Sequence, residues 1–196
     1  MTKKIQKILI VRNDKIGDFT LILPAVASLK KNIPNSKIVC LVSKNVEELA
    51  QQCEFIDEVI VDKKIKDLYL SLKEYKFDMV ISFFSTFRIG YLLKKLNIPL
   101  RLAPKTKLAQ IFYNHKFYQK RSKSKKPEYE YNIDLVYEAF RIMNISNIEE
   151  MSLGPYLTYD YEVVAKNRID FVNEYNLNPD KKIIFLHPGT GGSSKG

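Results

Sequence analysis

The sequence predicts an α/β protein built on a doubly wound parallel sheet. Through residue 103, short apolar runs rich in Val and Ile alternate with stretches long enough to be crossover helices. The runs are not polar at every second position, which is typical of parallel strands covered by helices on both faces. Alternation of such strands with helices is the pattern of a doubly wound sheet. The predicted strands are Lys7–Val11, Lys37–Val42, Glu58–Val61, Met79–Ser82 and Pro99–Leu102, and the predicted helices between them are Phe19–Lys31, Val46–Gln52, Ile65–Glu74 and Thr86–Leu96.

The second half of the chain contains two further helices and the start of a second β–α series. In Glu130–Met143, apolar side chains recur at steps of three and four residues, which predicts one buried helical face. Asp160–Tyr175 is again helical in pattern, and the apolar run Lys182–His187 predicts a new strand. We therefore expect one domain over residues 1–155 and the incomplete beginning of a second domain over residues 156–196.

The composition is that of a globular protein. Of the 196 residues, 45% are hydrophobic and 12% are aromatic, which argues against disorder. No stretch approaches the ~20 uninterrupted apolar residues of a membrane-spanning helix. The two cysteines, Cys40 and Cys53, have no metal-binding or redox spacing and are too few for a disulfide scaffold, so a reducing compartment is expected. No spacing of His, Cys or carboxylate residues predicts a metal site.

The net charge of +10 indicates an anionic partner, and nucleic acid, anionic lipid head groups and phosphorylated sugars all meet that description. Part of the charge lies in the basic segment, His115–Lys126, which contains six Lys or Arg residues and no acid. Two interpretations of this segment stay open. It is either a solvated, mobile loop or a contact with a negative membrane surface, where each nearby cation contributes about 1 kcal/mol.

The loop after the first predicted strand is the first candidate site. Ligands of open α/β sheets bind beyond the carboxyl ends of the strands, where the run RNDKIGDF (residues 12–19) begins. Gly17 permits a tight turn or a close backbone approach. By position alone, Asp18 is an N-cap, a role worth about 1 kcal/mol of helix stability. Lys15 either reaches an anionic ligand or is a solvated charge, and Arg12 either contacts a ligand phosphate or caps the sheet.

The second candidate site is the Gly-rich loop HPGTGGSSKG (residues 187–196). A Gly-rich turn after a buried strand exposes several backbone N–H groups, and the N-terminus of a following helix adds its dipole. Thr190, Ser193 and Ser194 carry hydroxyl groups, and Lys195 supplies a cation for phosphate charge. This loop predicts a binding site for a phosphate-bearing donor.

Two motifs resemble glycosyltransferase family 9, the bacterial lipopolysaccharide heptosyltransferases. They are KILIVRNDKIGDFTLILPAV (residues 7–26) and FLHPGTGGSSK (residues 185–195), and EFIDEVI (residues 54–60) between them resembles a third family pattern. The resemblance spans essentially the whole chain. It implies a GT-B-type fold, in which two Rossmann-like domains enclose the active site. Residues 1–155 would be the acceptor-binding domain, and residues 156–196 the truncated start of the donor-binding domain.

The function implied by this resemblance is inverting transfer of a heptose or a similar sugar from a nucleotide-diphosphate sugar, such as ADP-heptose, to the lipopolysaccharide core. No metal or cofactor is essential to it. Asp18 would be the general base, with Lys15 and Gly17 as acceptor contacts. Inversion needs a carboxylate on the acceptor side and positive charge at the leaving diphosphate. The implied donor-phosphate residues are Thr190, Gly191, Gly192, Ser193 and Lys195.

The implied partners are a nucleotide-sugar donor, an anionic glycolipid acceptor and the inner face of the inner membrane, with no nucleic acid. The protein would be cytoplasmic, with peripheral contact to that membrane. Because most of a donor-binding domain is missing from the sequence, we expect the chain to fold but to transfer little or no sugar.

Two rival functions come from other readings of the same residues. Residues 189–196 resemble the Walker A loop of a nucleotide triphosphatase, but Ser194 replaces the second required glycine and Gly196 replaces the Ser or Thr that holds magnesium. A non-catalytic nucleic-acid-binding module is the second rival, because residues 112–118 mix aromatic and basic side chains that can stack on bases. The β–α alternation instead assigns most aromatic residues to the core.

Overall fold

The computed structural model describes residues 5–105, 108–150 and 154–186. It confirms the predicted fold class, with six parallel strands in the order β3-β2-β1-β4-β5-β6. This strand order is that of the Rossmann-type doubly wound sheet. The strands are β1 (Lys7–Arg12), β2 (Lys37–Val42), β3 (Glu58–Val61), β4 (Met79–Ser82), β5 (Leu100–Pro104) and β6 (His115–Phe117). The α-helices are α1 (Ile16–Thr20), α2 (Leu23–Asn32), α3 (Glu47–Gln51), α4 (Ile65–Lys73), α5 (Phe87–Lys95), α6 (Glu128–Ile142) and α7 (Tyr161–Glu174), and short 3₁₀ helices cover Lys44–Val46, Leu108–Phe112 and Arg121–Lys123.

The central strand β1 divides its side chains between two hydrophobic cores. Ile8 and Ile10 pack in the core that contains α2 and α6, whereas Leu9 and Val11 pack in the core that contains α4 and α5. All four side chains are fully buried. Burial of one such side chain contributes about 1.5–3 kcal/mol. The strand is apolar at every position of this run because helices cover both faces of the sheet.

The predicted helix Phe19–Lys31 is two helices, and the break lies at Leu21 and Ile22. Pro24 occupies the first turn of α2, where its missing N–H group costs no hydrogen bond. The Nδ2 atom of Asn132 in α6 donates to the carbonyl oxygen of Leu21 at 2.9 Å, which satisfies a backbone group at the break. The shorter first helix begins at Ile16, earlier than predicted, so that the loop after β1 is only three residues long.

The sheet has one more strand than the sequence predicts, and that strand lies in the basic segment. Residues His115–Phe117 pair in parallel with β5, with Lys116 opposite Ala103. The interpretation of the basic segment as a solvated loop is therefore wrong for its first part. Farther along the segment, Arg121 forms an ion pair with Glu128. The segment is thus joined to both β5 and the start of α6.

Residues 159–186 belong to a separate compact unit. Its helix α7 is capped by Asp160, whose carboxylate accepts hydrogen bonds from the backbone N–H groups of Glu162 at 2.8 Å and Val163 at 3.3 Å. The ring of Phe171 packs against that of Phe185 with centroids 5.3 Å apart.

The predicted strand Lys182–His187 is wrong for the part that the structure describes. Residues 182–186 pair with no described strand, and the side chains of Ile184, Phe185 and Leu186 are exposed. An apolar run becomes a strand only when a neighbour satisfies its backbone groups. The domains over residues 1–155 and 156–196 stay a prediction, because only residues 159–186 of the second unit are described.

Candidate active site

The candidate site lies where the carboxyl ends of β1 and β4 meet at the centre of the sheet. From β1 the chain winds outward to β2 and β3, and from β4 it winds the other way to β5 and β6. In open α/β sheets the ligand crevice forms at this reversal. The loop after β1 and residues 83–86 after β4 therefore border this crevice.

Arg12 joins these two loops through its buried guanidinium group. Its Nη2 atom lies 2.8 Å from Oδ1 of Asp18, and its Nη1 atom donates to the carbonyl oxygen of Phe83 at 3.2 Å. Its Nε atom lies 2.9 Å from Oδ1 of Asp14, but neither atom has a hydrogen-bond partner among the described residues. This contact is an ion pair without hydrogen-bond alignment. One cation therefore holds two carboxylates and the β4 loop together.

Asp18 is the third residue of α1, and its interpretation as an N-cap is wrong. The N-cap position belongs to Lys15, which makes no side-chain capping bond. The Asp18 side chain is 39% exposed, whereas that of its partner Arg12 is 5% exposed. A carboxylate in the first turn also interacts favourably with the helix dipole. The buried guanidinium group of Arg12 thus orients the carboxylate of Asp18, and the exposed part of that carboxylate is open to a ligand.

Asp14 is the more enclosed of the two carboxylates. Its burial raises the pKa of its carboxyl group, the positive charge of Arg12 lowers it, and the negative charge of Asp18 raises it again. Burial is the largest of these effects, and the pKa is raised in sum. Asp14 and Asp18 therefore compete for the same guanidinium group.

Lys15 and Gly17, the candidate acceptor contacts, are both exposed beside Asp18. A Cβ atom built on Gly17 would meet nothing within 4 Å. Gly17 lies inside α1, so of its two predicted roles the tight turn is wrong, and the close backbone approach stays a prediction. The free space above it leaves room for a ligand to approach the helix.

A cavity of about 320 Å³ lies next to Arg12. Asp18 does not line it and is connected to it through Arg12. Burial lowers the pKa of Arg121, the second guanidinium on the wall, while the neighbouring carboxylate of Glu128 raises it. The lining residues come from the ends of β1 and β5, the loop after β4, two 3₁₀ helices and the start of α6: Arg12, Phe83, Phe84, Ser85, Pro104, Gln110, Arg121 and Glu128.

A chain of hydroxyl groups fixes the cavity wall on the β4 side. Ser85 Oγ donates to the phenol oxygen of Tyr113 at 3.0 Å, and that phenol donates to Ser82 Oγ at 3.0 Å. Ser82 Oγ in turn donates to the carbonyl oxygen of Phe84 at 2.8 Å. Burial raises the pKa of Tyr113, which keeps its phenol neutral. The sequence reasoning missed these residues, although the rule that ligands bind at strand ends applies to β4 as well as to β1.

A second arginine–carboxylate pair ties the outer strand to the same edge of the sheet. Asp62 follows β3 and accepts a hydrogen bond from Nδ2 of Asn13 at 2.7 Å. Its carboxylate also forms an ion pair with Arg88 of α5, whose Nη1 atom donates to the carbonyl oxygen of Lys63 at 3.1 Å. This pair joins the loops after β1 and β3 to the start of α5.

The predicted donor-phosphate residues lie outside the described residues, so that site stays a prediction. In the part that the structure describes, no three His, Cys, Asp or Glu side chains come together as metal ligands. No helix within the described ranges is long and apolar enough to cross a bilayer. The residues concerned in the donor site are Thr190, Gly191, Gly192, Ser193 and Lys195.

In sequence, the chain is 43% identical over 195 residues to a Haemophilus influenzae protein named "Putative glycosyltransferase". The match covers 96% of this chain and 56% of that protein, so the chain spans little more than half the length of its relative. No protein-family model matches the chain.

In structure, the chain is similar to sugar-transferring enzymes of one type. A glycosyl transferase family 9 protein from Veillonella parvula matches with a TM-score of 0.73 and 20% identity, over 93% of this chain and 53% of that one. The ADP-heptose lipopolysaccharide heptosyltransferase II of Escherichia coli matches with a TM-score of 0.69 and 17% identity, over 88% and 51%. The E. coli heptosyltransferase WaaC, solved with ADP, matches with a TM-score of 0.63 and 19% identity, over 77% and 51%.

These comparisons confirm the fold class and the resemblance predicted from the sequence. The six-stranded parallel sheet is the α/β fold of GT-B heptosyltransferase structures. By sequence the chain is related to a protein named as a glycosyltransferase.

Proposed function

We propose that this chain is the acceptor-binding part of an inverting glycosyltransferase of the heptosyltransferase type. Its relative in sequence is named as a glycosyltransferase, and solved structures of the same fold act on ADP-heptose or contain ADP, which supports a nucleotide-sugar donor. The proposed donor is ADP-heptose or a similar nucleotide sugar, and the proposed acceptor is the anionic glycolipid core of lipopolysaccharide. The donor is a substrate, and no cofactor is part of the proposal.

One observation carries this proposal: a partly exposed carboxylate, that of Asp18, is held by a buried arginine at the reversal point of the sheet. In the proposed reaction, the acceptor hydroxyl oxygen attacks the anomeric carbon as Asp18 takes the hydroxyl proton. The bond from that carbon to the diphosphate breaks on the opposite face, which inverts the configuration. A general base must lie within hydrogen-bond reach of its proton, so the orientation imposed by Arg12 is the chain's own contribution.

Negative charge develops on the leaving diphosphate. Cations or N–H groups must stabilise it on the face of the sugar opposite Asp18. In this proposal they come from the loop with Thr190 and Lys195, together with residues outside this sequence. The acceptor would meet the protein at the exposed face near Lys15 and Gly17. The proposed location is the cytoplasmic face of the inner membrane, and the net charge of +10 supports contact with an anionic membrane surface.

A transfer assay tests the proposal. Because the chain spans 56% of the Haemophilus relative, the assay uses residues 1–196 joined to the part of that relative outside the matched region, called here the joined protein. We expect the joined protein to release ADP from ADP-heptose only when a lipopolysaccharide-core acceptor is present. Residues 1–196 alone should release little or none. Failure of a well-folded joined protein to show acceptor-dependent release, or magnesium-dependent ATP hydrolysis in its place, would contradict the proposal.

A further inference from the structure

Four large apolar side chains are exposed together on α5 and the 3₁₀ helix Leu108–Phe112. Phe87 is 60% exposed, Tyr91 50%, Leu108 87% and Ile111 64%, and these four residues are called here the apolar patch. Residues 87 and 91 share one face of α5, and residues 108 and 111 are one turn apart in the 3₁₀ helix. The ring of Phe112 lies between the two segments, edge-on to Phe87 at 4.7 Å and to Tyr91 at 6.0 Å between centroids.

The two segments form one surface because Gly90 has no side chain. A Cβ atom at Gly90 would lie 2.8 Å from Cδ2 of Phe112 and 3.2 Å from the carbonyl oxygen of Ala109. These distances are shorter than a normal carbon contact, so the helix approaches the 3₁₀ segment as closely as its backbone allows. The start of α5 is fixed by Thr86, whose Oγ1 atom accepts a hydrogen bond from the N–H of Ile89 at 3.3 Å. The apolar patch is therefore held by packed secondary structure.

Uncompensated lysines accompany the apolar patch along the chain. Lys94 lies one turn after Tyr91 on the same face of α5, and Lys105 comes shortly before Leu108. The basic segment that follows adds four more exposed lysines. In contrast, Arg121 of the same segment is paired with Glu128 and lines the cavity. The exposed lysines without an ion-pair partner among the described residues are Lys94, Lys105, Lys116, Lys120, Lys123 and Lys125.

We infer that the apolar patch docks on the surface of an anionic lipid bilayer, with these lysines against the head groups. Aromatic and aliphatic side chains that enter the boundary between head groups and acyl chains, together with lysines that attract anionic lipids, are the two components of peripheral membrane binding. A second copy of the chain fits the patch less well, because it would bring two surfaces of a +10 protein together. A nucleic acid fits less well too, because Leu108 and Ile111 offer no ring on which a base can stack.

The apolar patch lies beside the candidate active site. Gln110, the neighbour of Ile111, lines the cavity next to Arg12, and so do Phe84 and Ser85, which come just before α5. A docked patch would therefore bring the cavity close to the bilayer, so a glycolipid acceptor could be reached without leaving the membrane. The inference deepens the proposed function, and its test measures membrane binding without any sugar transfer.

Co-sedimentation of the 196-residue chain with lipid vesicles tests the inference. We expect the chain to bind vesicles of phosphatidylcholine and phosphatidylglycerol at 3:1 about ten-fold or more tightly than vesicles of phosphatidylcholine alone, and to lose this difference at high salt. Replacing Phe87 and Ile111 together by Ser should weaken binding to the anionic vesicles about ten-fold. Leu70→Ser is the matched control, because Leu70 is 59% exposed on α4, which contributes no residue to the patch, and this change should leave binding unchanged.

Two further variants keep the test decisive. Leu108→Ser alone, at the most exposed position of the patch, should weaken vesicle binding even if the double variant melts early. Lys116→Gln with Lys123→Gln should weaken binding to anionic vesicles and leave the small binding to neutral vesicles unchanged. The inference is overturned if folded patch variants bind as tightly as the Leu70→Ser control. It is also overturned if light scattering shows a dimer that the patch variants convert to monomer while vesicle binding persists.

Discussion

Two arginine–carboxylate pairs lie at the carboxyl edge of the sheet, and their exposures are reversed. In the pair of Arg12 and Asp18 the cation is buried and the carboxylate is 39% exposed. In the pair of Arg88 and Asp62 the cation is 41% exposed and the carboxylate only 15%. The enclosed carboxylate also accepts a hydrogen bond from Asn13, so it acts as a tie between loops. The comparison teaches that an ion pair alone does not mark a carboxylate as a candidate general base, and that the two pairs differ in which of their partners is buried.

The largest effect expected from this comparison is on catalysis, in the variant Asp18→Asn. The amide cannot take the acceptor proton, so kcat of the joined protein should fall by about 10²–10⁴-fold while KM changes little. The free energy of unfolding should change by less than about 1 kcal/mol, because the side chain is substantially exposed and the amide oxygen can still accept from Arg12. Steady-state kinetics and urea unfolding measure the two quantities. Turnover close to wild type would remove Asp18 from the reaction and leave the fold assignment intact.

The next effect is on stability, in the variant Arg12→Met. It removes a buried cation from Asp14 and Asp18 and a donor from the carbonyl of Phe83. Breaking a buried ion pair from one side costs about 3–5 kcal/mol, and the partial exposure of both carboxylates puts the expected loss near about 3 kcal/mol. Arg12→Lys should lose less, because it keeps the charge but not the forked geometry. Urea unfolding of residues 1–196 measures both losses, and equal stability of the Met variant and the wild type would show that the cation is not needed to hold the loops.

Substitutions in the pair of Arg88 and Asp62 should have a smaller effect, and they should change the free energy of unfolding only. Asp62→Asn keeps an acceptor for Asn13 but removes the charge that pairs with Arg88, which should cost about 1–2 kcal/mol. Arg88→Gln should cost below about 1 kcal/mol, because its side chain is 41% exposed and solvent screens its ion pair. Neither variant should change kcat of the joined protein more than a few-fold. A loss of kcat in Asp62→Asn as large as in Asp18→Asn would mean that exposure does not distinguish the two carboxylates.

The sequence predicted the inner part of the sheet well because its strands are buried on both faces. The predicted bounds of the inner strands β2 and β4 are the observed ones, since continuous apolar runs between helices leave a clear signal. The bounds of the half-buried edge strand β3 were also predicted as observed. The strand β6 was missed because His115–Phe117 is short, lies at the edge and includes polar residues. The predicted strand Lys182–His187 shows the opposite error, because its apolar run has no strand to pair with among the described residues.

The candidate site was only partly predictable, because its geometry depends on contacts between residues that are distant in sequence. Asp18 was found from its place after the first strand and from the motif, but its exposure depends on Arg12, whose role the sequence left open. Arg121 was counted among the charges of the basic segment, because its contact with Glu128 and its place on the cavity wall exist only once the 3₁₀ helix Arg121–Lys123 and the start of α6 come together. Local patterns identify the strand ends, whereas tertiary packing decides which charges are buried there.

The smallest effect is a dependence of stability on pH at Asp14, the second carboxylate that shares Arg12. Burial raises the pKa of Asp14 above its ordinary 3.8, and the opposing attraction of Arg12 does not cancel it. The folded protein therefore binds this proton more tightly than the unfolded chain does. The contribution of Asp14 to stability must then fall as the pH rises from 3.8 through the raised pKa, and it stays low above that value.

Asp14→Asn removes the charge that is costly to bury, so the variant should gain stability relative to the wild type as the pH rises through this window. Urea unfolding of both proteins between pH 3 and pH 7 measures the difference, in which the titrations of all other groups largely cancel. The gain should be absent at the acidic end, where Asp14 is neutral in both states of the wild type. A variant that instead loses stability relative to the wild type as the pH rises would show that the attraction of Arg12 outweighs burial. Asp14 would then help to fix the buried arginine in place through its negative charge.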